Sequence, residues 1–119
     1  LYDTIEGVNV NLLEKQVLMF EIDEENENFK EIEDKDVPTE DLLNSSSIII
    51  IVDPLDNVIW IWEGRKAGIR KKFIATQSAP KIRDRYGIDF KIMTVDEGDE
   101  PSEFKEIVGL EVNQHENNS

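Results

Sequence analysis

The apolar positions of this chain concentrate in two consecutive runs between Ser47 and Gly64. Ile48 to Val52 are β-branched without interruption. Such side chains are stiff at χ1 and pack well on a pleated surface, so the run predicts a strand buried on both faces. Asp53-Pro54-Leu55-Asp56-Asn57 supplies turn chemistry, and Val58 to Trp62 returns fully apolar before Gly64. Together they predict a hairpin at the centre of a sheet.

The flanking segments are shorter or mixed. Gln16 to Ile22 predicts a strand, Asp23 to Asn28 a polar tip, and Phe29 to Ile32 a strand pairing back. The tip is acidic but lacks the glycine and ligand spacing of an EF-hand, so a solvated turn is expected. Val37 to Leu43 predicts a helical turn capped by Thr39. A long helix is expected over Arg65 to Tyr86, stopped by Gly87 in a left-handed conformation and kinked or broken by Pro80 near Ser78-Ala79. Phe90 to Val95 alternates as a strand, and Pro101 opens a short helix through Ile107. Val8 and Val10 alternate, which suggests an edge strand within an N-terminal extension over 1–16. The domain proper is expected over 17–111, with a disordered tail over 112–119.

Charge sharpens the picture. The net charge is −14. Residues 1–64 hold 3 basic and 17 acidic residues, 65–91 hold 9 and 2, and 92–119 hold 1 and 8. From Gly64 to Arg83 there is no acid, against seven bases. The predicted helix is therefore a cationic rod on an acidic protein, suited to steering a partner. At about 100° per residue, Ile69, Phe73, Thr76 and Pro80 share an arc, which is expected to face the sheet. Ile74 falls outside that arc, at the core margin or exposed among the bases. The rival account of the rod is a solvated face that offsets the acidic strands nearby.

Candidate chemistry is sparse. The chain has no cysteine and one histidine, His115, so neither a disulfide nor a thiolate metal site is available. No phosphate loop, dinucleotide fingerprint or nucleophile–base pairing occurs, and an enzyme is not expected. Nucleic acid and membrane surfaces are disfavoured, because the chain as a whole repels phosphate. No apolar run approaches the roughly 18 residues of a membrane span, and a cytoplasmic location is expected.

Val37-Pro38 with Leu42-Leu43, the Ile48–Val52 strand, Trp60-Ile61-Trp62-Glu63-Gly64 and Gly98-Asp99-Glu100-Pro101-Ser102-Glu103-Phe104 together resemble the gelsolin/villin domain. The resemblance covers 17–108, and compact archaeal gelsolin-like proteins are the variety it looks most like. It implies an α+β fold, a central mixed sheet of about five strands between one long and one short helix. It also implies binding of actin, or an actin-like filament protein, through the long helix. Carried over, the contact would come from Arg70, Lys71, Ile74, Ala75 and Ser78. An alternative role is a protein-interaction or scaffold module of a trafficking or cytoskeletal assembly.

Domains of this family commonly hold calcium between an acid just before the central strand and a Glu early in the long helix. Those positions fall here near Ser46 and between Ala67 and Lys71, where nothing is acidic. The usual intradomain calcium switch is therefore expected to be missing, and no cofactor is expected. Glu100 matches a family acid that can share calcium with a partner. That leaves a weak calcium site at Asp99 and Glu100 as a candidate, with helix capping the favoured role for Glu100.

Overall fold

A computed structural model of the chain describes residues 17–33 and 38–110. Five strands form one sheet: β1 (Leu18–Asp23), β2 (Asn28–Glu31), β3 (Ile48–Asp53), β4 (Val58–Glu63) and β5 (Lys91–Asp96), in the order β2-β1-β3-β4-β5. The pairs are antiparallel except β4 with β5, which run parallel. The helices are α1 (Thr39–Leu42), α2 (Ile69–Tyr86) and α3 (Ser102–Val108). Parallel strands need a long crossover, and α2 is that crossover between β4 and β5. The edge strand expected at Val8 to Val10, His115 and the tail lie outside the described residues.

The central hairpin forms as its composition predicts. Every residue of β3 is buried, and β4 pairs with it from Ile48↔Glu63 to Asp53↔Val58. Side chains alternate across a strand, so the hairpin feeds two cores. Ile48, Ile50, Val52, Ile59 and Ile61 join Ile74, Ala75, Ala79 and Ile82 of α2. Ile49, Ile51, Trp60 and Trp62 join Phe104 and Val108 of α3, with Trp60 and Phe104 edge to face at 5.6 Å.

Three local expectations are corrected. Thr39 is the first residue of α1 rather than its cap; Pro38 holds the cap position and no side chain bonds there. α2 is not broken at Ser78-Ala79 but runs through Pro80 to Tyr86. Pro80 is half-buried, but Thr76 is exposed, so water can take the Thr76 carbonyl that the missing N–H of Pro80 leaves free. Gly87 ends α2 at φ +154°, ψ 134°, a region that excludes side chains but is not the expected left-handed one.

Candidate docking face

The helix at the heart of the expected contact is turned the other way. α2 buries Ile74, Ala75, Ser78, Ala79 and Ile82 against the sheet. Ile74, Ala75 and Ser78, expected as contact residues, are only 5%, 0% and 4% exposed and belong to the core. The arc through Ile69, Phe73 and Thr76 faces solvent, with Ile69 86% and Phe73 62% exposed. The cause is packing. The sheet beneath presents bulky isoleucines, and a helix approaches them closely through small residues such as Ala75, Ser78 and Ala79. A Phe in that seam would hold the helix off. The signal that marks the inward face is therefore the small-residue stripe flanked by Ile74 and Ile82.

Ile69 and Phe73, one turn apart, form the apolar centre of the outward face. Arg70 and Lys72 flank it on the helix, and Arg65 and Lys66 precede it in the chain, all exposed. Arg70 forms an ion pair with Glu27 from the β1–β2 tip. Both side chains are more than half exposed, so the pair adds little stability. It positions Arg70 rather than holding the fold.

The start of α2 is fastened by a network. Glu97 accepts from the Arg65 backbone N–H at 2.8 Å and from the Ser45 hydroxyl at 2.9 Å. The Arg65 bond, followed by the Ser45 bond, holds the Glu97 carboxyl below its ordinary value. Gly64 N–H donates to the Ser47 carbonyl at 2.9 Å and Lys66 N–H to the Ser45 carbonyl at 2.8 Å. A Cβ at Gly64 would fall 2.3 Å from the Ser45 carbonyl oxygen, so this close approach requires glycine. Lys71 Nζ completes the network by donating to the Ser46 carbonyl at 2.9 Å.

The same bond bears on calcium. The two segments from which the family draws its ligands are joined here by an ammonium, and no carboxylate stands on α2's first turn. A hard cation needs several oxygen ligands, mostly anionic, so these residues do not fit calcium. Asp99 and Glu100 have no third acidic or histidine ligand grouped with them among the described residues. Glu100 Oε2 accepts from the Trp62 indole at 2.9 Å and Oε1 from the Gly98 N–H at 3.1 Å, while Asp99 is exposed. Glu100 thus anchors a buried tryptophan instead of capping α3, whose cap position is Pro101. Among the described residues no group of three or more His, Cys, Asp or Glu is placed to hold a metal.

On the opposite face of the sheet, α3 leaves one end of the strands bare. An apolar groove of about 380 Å³ runs there between Val58, Trp60, Met93 and Pro101. Asp56, Lys91 and Glu103 complete its lining.

No protein-family model and no curated protein matches the chain. Solved structures do. The chain is similar to Thorarchaeota ProGel, crystallised in complex with rabbit actin, with a TM-score of 0.66 and 26% identity. That alignment covers 79% of this chain and 100% of the other. It is also similar to Thorarchaeota 2DGel3, again in a crystal with rabbit actin, with a TM-score of 0.61. There the identity is 24%, over 79% of this chain and 46% of the other, and the likeness is one of fold. The fold is that of a gelsolin-type domain, as the sequence resemblance implied.

Proposed function

We propose that this domain binds actin, or an actin-like filament protein, through the outward face of α2. The exposed Ile69–Phe73 pair carries the reading: two large apolar side chains stand in solvent at the centre of a basic rim. An anchor that is apolar at its centre and charged at its edge suits an apolar cleft in an acidic partner. The ProGel neighbour, crystallised with rabbit actin, supports the same partner class.

The domain acts without catalysis, by occupying a filament subunit's surface and so altering assembly. It works in the cytoplasm. No described helix is long and apolar enough to cross a membrane. Binding needs no calcium within the domain, because the ties that place α2 are made by Lys71, Glu97 and Gly64.

Pelleting and pyrene-actin assembly assays test the proposal with wild type, Ile69→Asp and Phe73→Asp. Wild type is expected to change assembly of rabbit or archaeal actin, and each variant to lose that effect while keeping its melting temperature. Unchanged assembly with wild type on both actins overturns it.

A further inference from the structure

Strand β5 stands at one edge of the sheet and, among the described residues, pairs only with β4. Two hydrogen bonds set the phase of that ladder. Lys91 N–H donates to the Asn57 carbonyl and Glu97 N–H to the Glu63 carbonyl, each at 2.9 Å. In a regular parallel ladder alternate residues bond inward, so Ile92, Thr94 and Asp96 turn their N–H and C=O groups outward. The register with β4 runs unbroken from Lys91 to Asp96, so no bulge twists the edge away.

The other edge is protected in the usual ways. β2 has four residues and carries Lys30 and Glu31. β5 has six, with no proline and no charge between Lys91 and Asp96. Met93 is 45% exposed and Thr94 is exposed. The apolar groove beside Met93 adds an open surface along the same edge.

We propose that β5 pairs antiparallel with β5 of a second copy of this chain, about a two-fold axis at Thr94. An axis normal to the sheet sets Thr94 opposite Thr94 of the second copy and Ile92 opposite its Asp96. The outward backbone groups of all three positions then meet outward groups. Charge complementarity selects this register. Lys91 comes to face Glu97 of the second copy on the same side of the sheet, at both ends. Each Glu97 oxygen retains a lone pair beyond its bond to Arg65 or Ser45. Centring on Met93 instead would set Lys91 against Val95 and lose both ion pairs. Paired threonines at the centre are themselves favourable cross-strand neighbours. The contact is isologous and closes at two copies. Because the axis is normal to the sheet, both α2 helices lie on the same side of a ten-stranded sheet.

Sedimentation over micromolar to millimolar protein tests this without actin. Wild type is expected to dimerise with concentration. Thr94→Pro deletes an N–H that points away from β4, so it is expected to stay folded and monomeric. The chain has no cysteine, so single-cysteine variants report register directly. Thr94→Cys is expected to cross-link under mild oxidation, because hydrogen-bonded partners sit about 5.5 Å apart at Cα, within disulfide reach. Lys91→Cys is expected not to, its copies lying about 20 Å apart along the strands. A wild type that stays monomeric throughout, its edge left bare or covered by its own chain, overturns the proposal. So does a dimer that survives Thr94→Pro, or equal cross-linking of the two cysteine variants. Should Thr94→Pro fail to fold, the cysteine pair decides.

Discussion

The Lys71 ammonium donates to the Ser46 carbonyl across 2.9 Å, fastening the first turn of α2 to the loop before β3. A positive charge thus stands between the two segments where the family resemblance places calcium ligands. Calorimetric titration with calcium is expected to show no site of roughly micromolar or tighter affinity. Actin binding is expected to be equal in calcium and in chelator. A tight site, or binding lost on chelation, contradicts this.

The rotation of α2 separates two neighbouring residues by role. Phe73 faces solvent and Ile74 the core. Phe73→Asp is expected to lower actin affinity by about tenfold or more, roughly 1.4 kcal/mol, and to leave stability unchanged. Ile74→Ala is expected to cost about 2–5 kcal/mol of stability, through lost burial and a residual cavity. Chemical denaturation and pelleting on the same two proteins check both halves.

Glu97 ties the start of α2 to the fold, and its two hydrogen bonds hold its folded pKa below the ordinary 4.5. Its contribution to stability is therefore fully present above that value and is lost as pH falls through the folded value. Glu97→Gln is expected to lower stability at neutral pH and to flatten the decline on acidification. Urea midpoints measured from neutral pH down to the acid range check the slope.

Gly64 lies so near Ser45 that an added methyl has no room. The obstacle is backbone, which cannot swing aside as a side chain can. Gly64→Ala is expected to destabilise the fold by about 1–3 kcal/mol. It is also expected to weaken actin binding through displacement of the first turn of α2, read by thermal melting and pelleting together.

The Trp62 indole has one acceptor, Glu100. Glu100→Ala leaves a buried donor unpaired and is expected to cost about 1–3 kcal/mol. Glu100→Gln keeps an acceptor and is expected to recover most of it, as equilibrium denaturation would show.

The strands of the central hairpin were legible because Ile48 to Val52 and Val58 to Trp62 allow little but a buried sheet. The C-terminal end of α2 was legible from Gly87, whereas its start, expected at Arg65, falls at Ile69 after Gly68. The rotation of α2 was not legible. The helical arc shared by Ile69 and Phe73 suggested that they face the core, but the isoleucines of β3 and β4 already fill the space beneath the helix. Only small side chains fit against them, a condition set by tertiary contact rather than by α2's own sequence. Local pattern and global packing disagree here at the surface proposed to meet a partner, which is where such conflicts are expected. The role of Glu100 was hidden for a related reason. Its bond to Trp62 spans 38 positions of chain, and only the turn at Gly98 brings it back to β4.

Both tryptophans lie under α3, on the far side of the sheet from Ile69 and Phe73. Tryptophan emission from this protein therefore reports on one hemisphere of the molecule. A ligand seated on α2 leaves that glow unaltered, whereas loosening of the α3 hemisphere shifts it. Any spectroscopic assay of filament binding accordingly needs an added dye, and native emission becomes its control for folding.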